Sequence, residues 1–123
     1  MSILGMGVDL AEIDRVGDVY RKYPRFAQRC FTAHEQEYAL RFAKPERRLA
    51  ARFAGKEAVM KSLGTGWRRL RWTDIEITGG GKPTVRLTGG AAGRAHQLGV
   101  TEIHVTITHT DTQALVFAVA TDD

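Results

Sequence analysis

The sequence predicts an α+β fold, a single domain over residues 1–123 in which helices pack on a largely antiparallel sheet. Three observations predict it. Residues 3–9 alternate with a period of two, the stretch from Ile13 to Gly64 carries helix signals, and the remainder is dominated by short runs of Val, Ile and Thr between Gly and Asp turns. A chain of 123 residues with 43% hydrophobic content is enough for one core.

Ile3 to Asp9 reads as a strand with Leu4, Met6 and Val8 on one face and Gly5, Gly7 and Asp9 on the other, so Asp9 closes the strand beside a bare backbone. Ile13 to Tyr23 reads as a helix with Ile13, Val16, Val19 and Tyr20 inward, stopped by Pro24. Thr32-Ala33-His34-Glu35 fits a capping box for a helix running toward Ala43. Pro45 opens the next helix, which ends near Gly64. Thr73 to Thr78 and Thr84 to Thr88 read as strands joined through Gly79-Gly80-Gly81, followed by a short helix from Gly89 to Leu98 that ends at Gly99. Glu102 to Thr110 and Ala114 to Thr121 complete the sheet, with Asp111-Thr112-Gln113 as their turn.

No apolar run reaches the length of a membrane span, and Met1-Ser2-Ile3-Leu4-Gly5 lacks the basic-then-apolar layout of a signal peptide, so a cytosolic protein is expected. The lone Cys30 forms no internal disulfide and reads as a small core residue. A net charge of +4 and a pI near 9.6 favour an anionic partner: nucleic acid, a phosphorylated small molecule or an acidic protein. The basic residues gather in two clusters, Arg15, Arg21, Lys22, Arg25 and Arg29, then Lys44, Arg47, Arg48, Arg52, Lys56 and Lys61. Each cluster suits a separate anion or, equally, a solvated helix face.

The most informative stretch is Phe53-Ala54-Gly55-Lys56-Glu57-Ala58-Val59-Met60-Lys61. At about 100° per residue, Glu57 falls between an apolar stripe of Leu49, Phe53 and Met60 and a small-residue stripe of Ala50 and Ala54. The acid therefore points toward the packed side, with Lys61 one turn further on. An i,i+4 ion pair between them would be worth only about 0.3–0.5 kcal/mol, a small return for a carboxylate in that position. An acceptor for a metal beside a fixed cation suggests chemistry on a phosphate ester.

Asp9, at a strand end with glycines on its own face, suits a turn or cap as well as a metal ligand. Gly5-Met6-Gly7 lacks the third glycine of a dinucleotide fingerprint, and Gly55-Lys56 is followed by Glu57 where a phosphate-binding loop needs Ser or Thr. His109 emerges from the inward face of a strand at its last residue, a place that suits a structural hydrogen bond as well as a ligand contact. The four histidines have no zinc-site spacing, and no Ser/His/Asp set can be assembled.

Gly7-Val8-Asp9, the Phe53 to Lys61 helix, Gly81-Lys82-Pro83 and Val105-Thr106-Ile107-Thr108-His109-Thr110 together resemble the short branch of the 4′-phosphopantetheinyl transferases, the holo-acyl-carrier-protein synthases. The match runs through nearly the whole chain in order and spacing. Where the family often carries Ser, this chain has Thr106 and Thr108. The resemblance implies transfer of the phosphopantetheine arm of coenzyme A to a serine of an acyl carrier protein in fatty acid biosynthesis, with release of adenosine 3′,5′-bisphosphate. It makes Asp9 and Glu57 ligands of Mg²⁺, which usually takes one or two carboxylates plus phosphate oxygens and water. It gives Lys61 a phosphate oxygen, His109 the nucleotide end, and Lys44, Arg48 and Arg52 the remaining phosphates. Arg15, Arg21, Lys22 and Arg25 become the dock for an acidic carrier. A homotrimer with active sites at subunit boundaries is also implied, His109 contributing across the boundary from Asp9 and Glu57. Two other readings explain part of the pattern: a small basic RNA-binding module, whose aromatic residues Tyr20, Tyr23, Phe26 and Phe31 nevertheless have core spacing, and a magnesium-dependent phosphohydrolase using the same two acids.

Overall fold

A computed structural model describes residues 1–79 and 81–123. Strand β1 (Ile3–Glu12) leads into α1 (Ile13–Lys22), α2 (Pro24–Cys30), α3 (Ala33–Ala39) and the long α4 (Glu46–Ser62). A 3-10 turn (Trp72–Asp74) precedes β2 (Ile75–Thr78) and β3 (Thr84–Leu87), then α5 (Gly89–Leu98), β4 (Glu102–His109) and β5 (Gln113–Thr121). The strands form two antiparallel sheets, one ordered β1-β5-β4 and one made of β2 and β3. The α+β class expected from the sequence is the one observed. Gly80, in the expected β2–β3 connection, lies outside the described residues.

Several boundaries differ from expectation for identifiable reasons. Asp9 does not end its strand: β1 continues through Glu12, because Leu10, Ala11 and Glu12 still pair with Leu115, Ala114 and Gln113. Pro24 both stops α1 and starts α2, since a proline without an N–H is well placed at the first helical position. The Thr32–Glu35 capping box is present in both directions, yet α3 stops at Ala39, short of Ala43. Lys56, grouped on sequence grounds with cations that suit an anion or a solvated helix face, is fully buried and does neither.

Helix α4 lies chiefly on β1 and β5, and glycine makes that contact possible. A Cβ on Gly5 would overlap the carbonyl oxygen of Ser62, and one on Gly7 that of Ala58, so strand and helix meet backbone to backbone. On the opposite side of the helix, Lys56 Nζ is 2.7 Å from Glu35 Oε1 and donates to the carbonyls of Trp72 (3.0 Å) and Ile75. Glu35 in turn accepts from Thr32 N at 3.0 Å and Ile77 N at 2.9 Å. This closed network binds α4 to α3, the 3-10 turn and β2 with every charge satisfied. Burial still lowers the Lys56 pKa, with Glu35 working against it.

An aromatic series completes the helical layer. Tyr20 and Phe26 each meet Phe31 edge-on, Phe26 abuts Phe53 at 5.5 Å, and Phe53 stacks on Trp72 at 4.8 Å. Tyr23 departs from its expected core position and is exposed, because it caps α1 and has left the helical face.

Gly7→Ala should destabilise the fold by at least about 2 kcal/mol in denaturant titrations, since only a backbone shift relieves the overlap with Ala58. Gly93→Ala in α5, where an added Cβ meets nothing within 4 Å, should instead stabilise by roughly 0.5–1 kcal/mol. Lys56→Met, which leaves Glu35 charged and unpaired in the interior, should cost about 3–5 kcal/mol in the same titrations.

Candidate active site

Inward positions on β1 run Gly5, Gly7, Asp9, so the strand that lies against α4 through its glycines next presents a carboxylate. Glu57 sits between Ala58 and the buried Lys56 and faces that carboxylate while half-buried itself. Lys61 Nζ donates to Asp9 Oδ1 at 3.1 Å and to the Val8 carbonyl at 3.0 Å. The cation thus pairs with the acid on β1 instead of the i,i+4 acid on its own helix. Its side chain remains 55% exposed, which leaves its charge available to an incoming anion.

Glu57 is pushed up to about 7, first by burial and then by the charge of Asp9 and a hydrogen bond shared with it, with Lys61 opposing. Two carboxyls that resist joint ionisation, one tethered by a lysine, are a donor set for a hard divalent cation that keeps water or phosphate among its ligands. Mg²⁺ fits the two oxygen donors. No cluster of three or more His, Cys, Asp or Glu suited to a metal cage occurs among the described residues.

A second group of expected residues converges elsewhere. Arg48, Arg52 and His109 line a cavity of about 570 Å³ together with Tyr38, Arg47 and Lys82. Asp9, Glu57 and Lys61 are not part of its wall. The Arg52 guanidinium is nearly buried, donates to the Gly79 carbonyl at 3.1 Å and lies over the Tyr38 ring, while its Nε has no partner. Burial lowers its pKa. Arg52 therefore presents an edge to the cavity, not a free end. Arg48 covers the Phe42 ring at 3.6 Å. Lys44 belongs to an adjoining hollow that includes Asp14, Glu46 and Asp111, so acids share its surroundings.

Arg15, Lys22 and Arg25 are exposed on α1 and α2, whereas Arg21 is engaged with Asp18 at 3.2 Å and Glu46 at 3.4 Å. Burial pushes the Cys30 thiol up to about 11, which removes it as a nucleophile. Lys82 and Tyr38 join the cationic cavity without having been marked by periodicity; the Gly81-Lys82-Pro83 motif was the available signal for the first. The two basic clusters also pass over Trp67-Arg68-Arg69-Leu70-Arg71, where the density of arginine beside an aromatic residue was the available signal.

Residues 5–119 match the model of the 4′-phosphopantetheinyl transferase superfamily. The chain belongs to this superfamily. It is 41% identical to a holo-[acyl-carrier-protein] synthase of Natranaerobius thermophilus, covering 98% of this chain and 99% of that one. It is 49% identical to the synthase of Solibacter usitatus over 88% of this chain and 90% of the relative. Among solved structures, the Neisseria meningitidis synthase superposes with a TM-score of 0.87 at 28% identity, covering 98% of this chain and all of that one. The Helicobacter pylori synthase, solved in complex with coenzyme A, has a TM-score of 0.79 at 25% identity over 94% of this chain and 99% of that one. The chain is an enzyme of the holo-[acyl-carrier-protein] synthase branch.

A carboxyl raised by folding binds its proton more tightly in the native state. Its contribution to stability is therefore unfavourable once pH climbs above the ordinary carboxylate range, and is complete above about pH 7. Glu57→Gln should raise the stability of the metal-free protein at pH 8 by roughly 1 kcal/mol, a discounted value for a half-buried group, with the gain vanishing near pH 4.5. Chemical denaturation at the two pH values checks it.

Proposed function

We propose that this enzyme transfers the 4′-phosphopantetheine group of coenzyme A to a serine hydroxyl of an apo acyl carrier protein, releasing adenosine 3′,5′-bisphosphate, with Mg²⁺ as cofactor and fatty acid biosynthesis in the cytoplasm as its setting. The observation that carries this is the Asp9–Glu57 carboxyl pair with Lys61 hydrogen-bonded to Asp9 and the Val8 carbonyl, its side chain still half exposed. When bound, Mg²⁺ held by Asp9 and Glu57 would neutralise charge on the pyrophosphate as the leaving phosphate departs.

The chain's own groups divide the remaining work. Lys61, fixed by Asp9 and the Val8 carbonyl, directs its remaining N–H capacity to a phosphate oxygen. The serine Oγ–phosphorus bond forms as the bond from phosphorus to the nucleotide oxygen breaks. The serine proton passes either to Glu57 directly or to a water held at the carboxyl pair. Arg48, Arg52, His109 and Lys82 line a cavity suited to the nucleotide phosphates, with Lys44 at its margin. Arg15, Lys22 and Arg25, with Arg21 partly neutralised, give α1 and α2 a basic face for an acidic carrier.

The expected assembly is a homotrimer, and two features of the sheet favour contact between copies. Leu4, Met6, Val8 and Leu10 on the outward face of β1 are 40–59% exposed, and Phe117 of β5 adjoins them. So many large apolar residues on one strand face are expected to be covered by another copy. In addition, the carboxyl pair belongs to the β1 side and the cationic cavity to the β4 side of the sheet, so a neighbouring copy would bring one half to the other.

Incubating the protein with coenzyme A, Mg²⁺ and a cognate apo carrier should add one phosphopantetheine to the carrier mass. Hydrolysis of coenzyme A with the carrier mass unchanged would reject transfer in favour of a phosphohydrolase. Glu57→Gln should reduce magnesium-dependent turnover by about three orders of magnitude or more while leaving circular dichroism intact; retained turnover would remove Glu57 from the metal site.

A further inference from the structure

The end of α3 and the start of α4 carry matching series of side chains. Beyond Ala39 the chain tightens, with Arg41 N donating to the Tyr38 carbonyl and Phe42 N to the Ala39 carbonyl, both at 3.2 Å. The Phe42 ring therefore stays one turn on from Tyr38, edge-on to it with centroids 5.3 Å apart. Across from them, Arg48 and Arg52 are four residues apart on one side of α4. The Arg48 guanidinium lies 3.6 Å from the centre of the Phe42 ring, and that of Arg52 lies 4.6 Å from the centre of the Tyr38 ring. Two rings thus meet two guanidiniums in reverse order along the chain.

An arginine can be fixed by a carboxylate or by an aromatic face, and the two differ in what they leave behind. Arg21 is held by Asp18 and Glu46, which cancel its charge. Among the described residues, Arg48 takes part in no ion pair, and the arginines that donate side-chain hydrogen bonds are Arg21, Arg52 and Arg94. Arg48 is thus held by the Phe42 ring. A ring attracts a cation through its quadrupole and leaves the full positive charge in place. The cavity that Tyr38, Arg48 and Arg52 line has no carboxylate in its described wall, so nothing else there neutralises them. A purely structural latch between α3 and α4 would not need both guanidiniums on that wall.

We infer that Tyr38 and Phe42 are positioning residues for coenzyme A: their rings hold the Arg52 and Arg48 guanidiniums in place for the nucleotide phosphates and leave both charges in force. This rests on the reading above that the cavity takes those phosphates. A long side chain set beforehand does not have to give up its rotamer freedom when the phosphate arrives, so the rings act on affinity. They touch no reacting atom, and the chemical step should be indifferent to them.

Calorimetry with coenzyme A and Mg²⁺, together with kinetics in which coenzyme A is varied at saturating apo carrier, compares Phe42→Leu, Tyr38→Leu, Tyr38→Phe and Arg48→Ala with wild type. Each leucine variant should weaken coenzyme A binding and raise its KM by about five- to tenfold, with kcat held within about twofold. Tyr38→Phe keeps the ring and should restore affinity to within about twofold of wild type. Phe42→Glu should weaken binding further than Phe42→Leu, since a carboxylate would hold Arg48 but cancel its charge. Where a leucine variant lowers the thermal midpoint, methionine takes its place, filling the volume without an aromatic face. Leucine variants that bind coenzyme A as wild type does, beside an Arg48→Ala variant that loses affinity, overturn the positioning role and leave the phosphate cavity standing. Unchanged affinity in Arg48→Ala overturns the reading on which the role rests. A fall in kcat with KM unchanged also overturns the role, because the rings would then serve the chemical step or the fold.

Discussion

The approach of α4 to β1 is the constraint on which the rest of this molecule depends. Gly5 and Gly7 leave no side chain between strand and helix, so the Ser62 and Ala58 carbonyls rest on the strand backbone itself. That contact sets both the distance and the rotation of the helix. The next inward residue after Gly7 is Asp9, and the helical residue immediately before Ala58 is Glu57, so two missing side chains determine how two carboxyls meet. The raised proton affinity of Glu57 is the electrostatic result of that closeness, on top of its burial.

Charges along α4 serve very different ends although they alternate within a few residues. Arg52 and Lys56 turn inward, one to the Gly79 carbonyl and one to Glu35 and two backbone carbonyls, and both act as cross-links between the helix and the β2–β3 layer. Lys61, a single turn beyond Glu57, crosses to β1 and holds Asp9. A buried lysine is normally a liability, but here each of its donors meets an acceptor, and the desolvation cost is offset by a complete set of hydrogen bonds.

Much of this was legible in the sequence, and the exceptions have physical reasons. Alternation placed the β1 faces correctly, because Gly5, Gly7 and Asp9 share parity, and the capping box at Thr32 marked α3. Helical spacing put Glu57 toward the packed side, where it lies. Spacing was silent on Lys56, since its partners Glu35, Trp72 and Ile75 are brought to it only by tertiary packing. Eleven of the seventeen residues of α4 are buried, so the helix has no wholly polar face that would have flagged a buried cation. Pro24 is ambiguous by nature, since it ends one helix and opens another equally well. The convergence of Arg48, Arg52, Tyr38 and Lys82 on one cavity depends on the second sheet folding back over α4, which no local pattern encodes.

Lys56 and Glu57 are adjacent in the chain yet differ by about 100° around the helix, one locked into the interior and the other held at the rim. Inserting or deleting a single residue between the Arg52 and Lys61 attachments would turn one of these side chains out of its place. The helix is therefore indexed at both ends, like a key whose cuts cannot be shifted. Length variation in such a chain has to be absorbed elsewhere, as in the irregular 63–71 turn, where no helical phase has to be preserved.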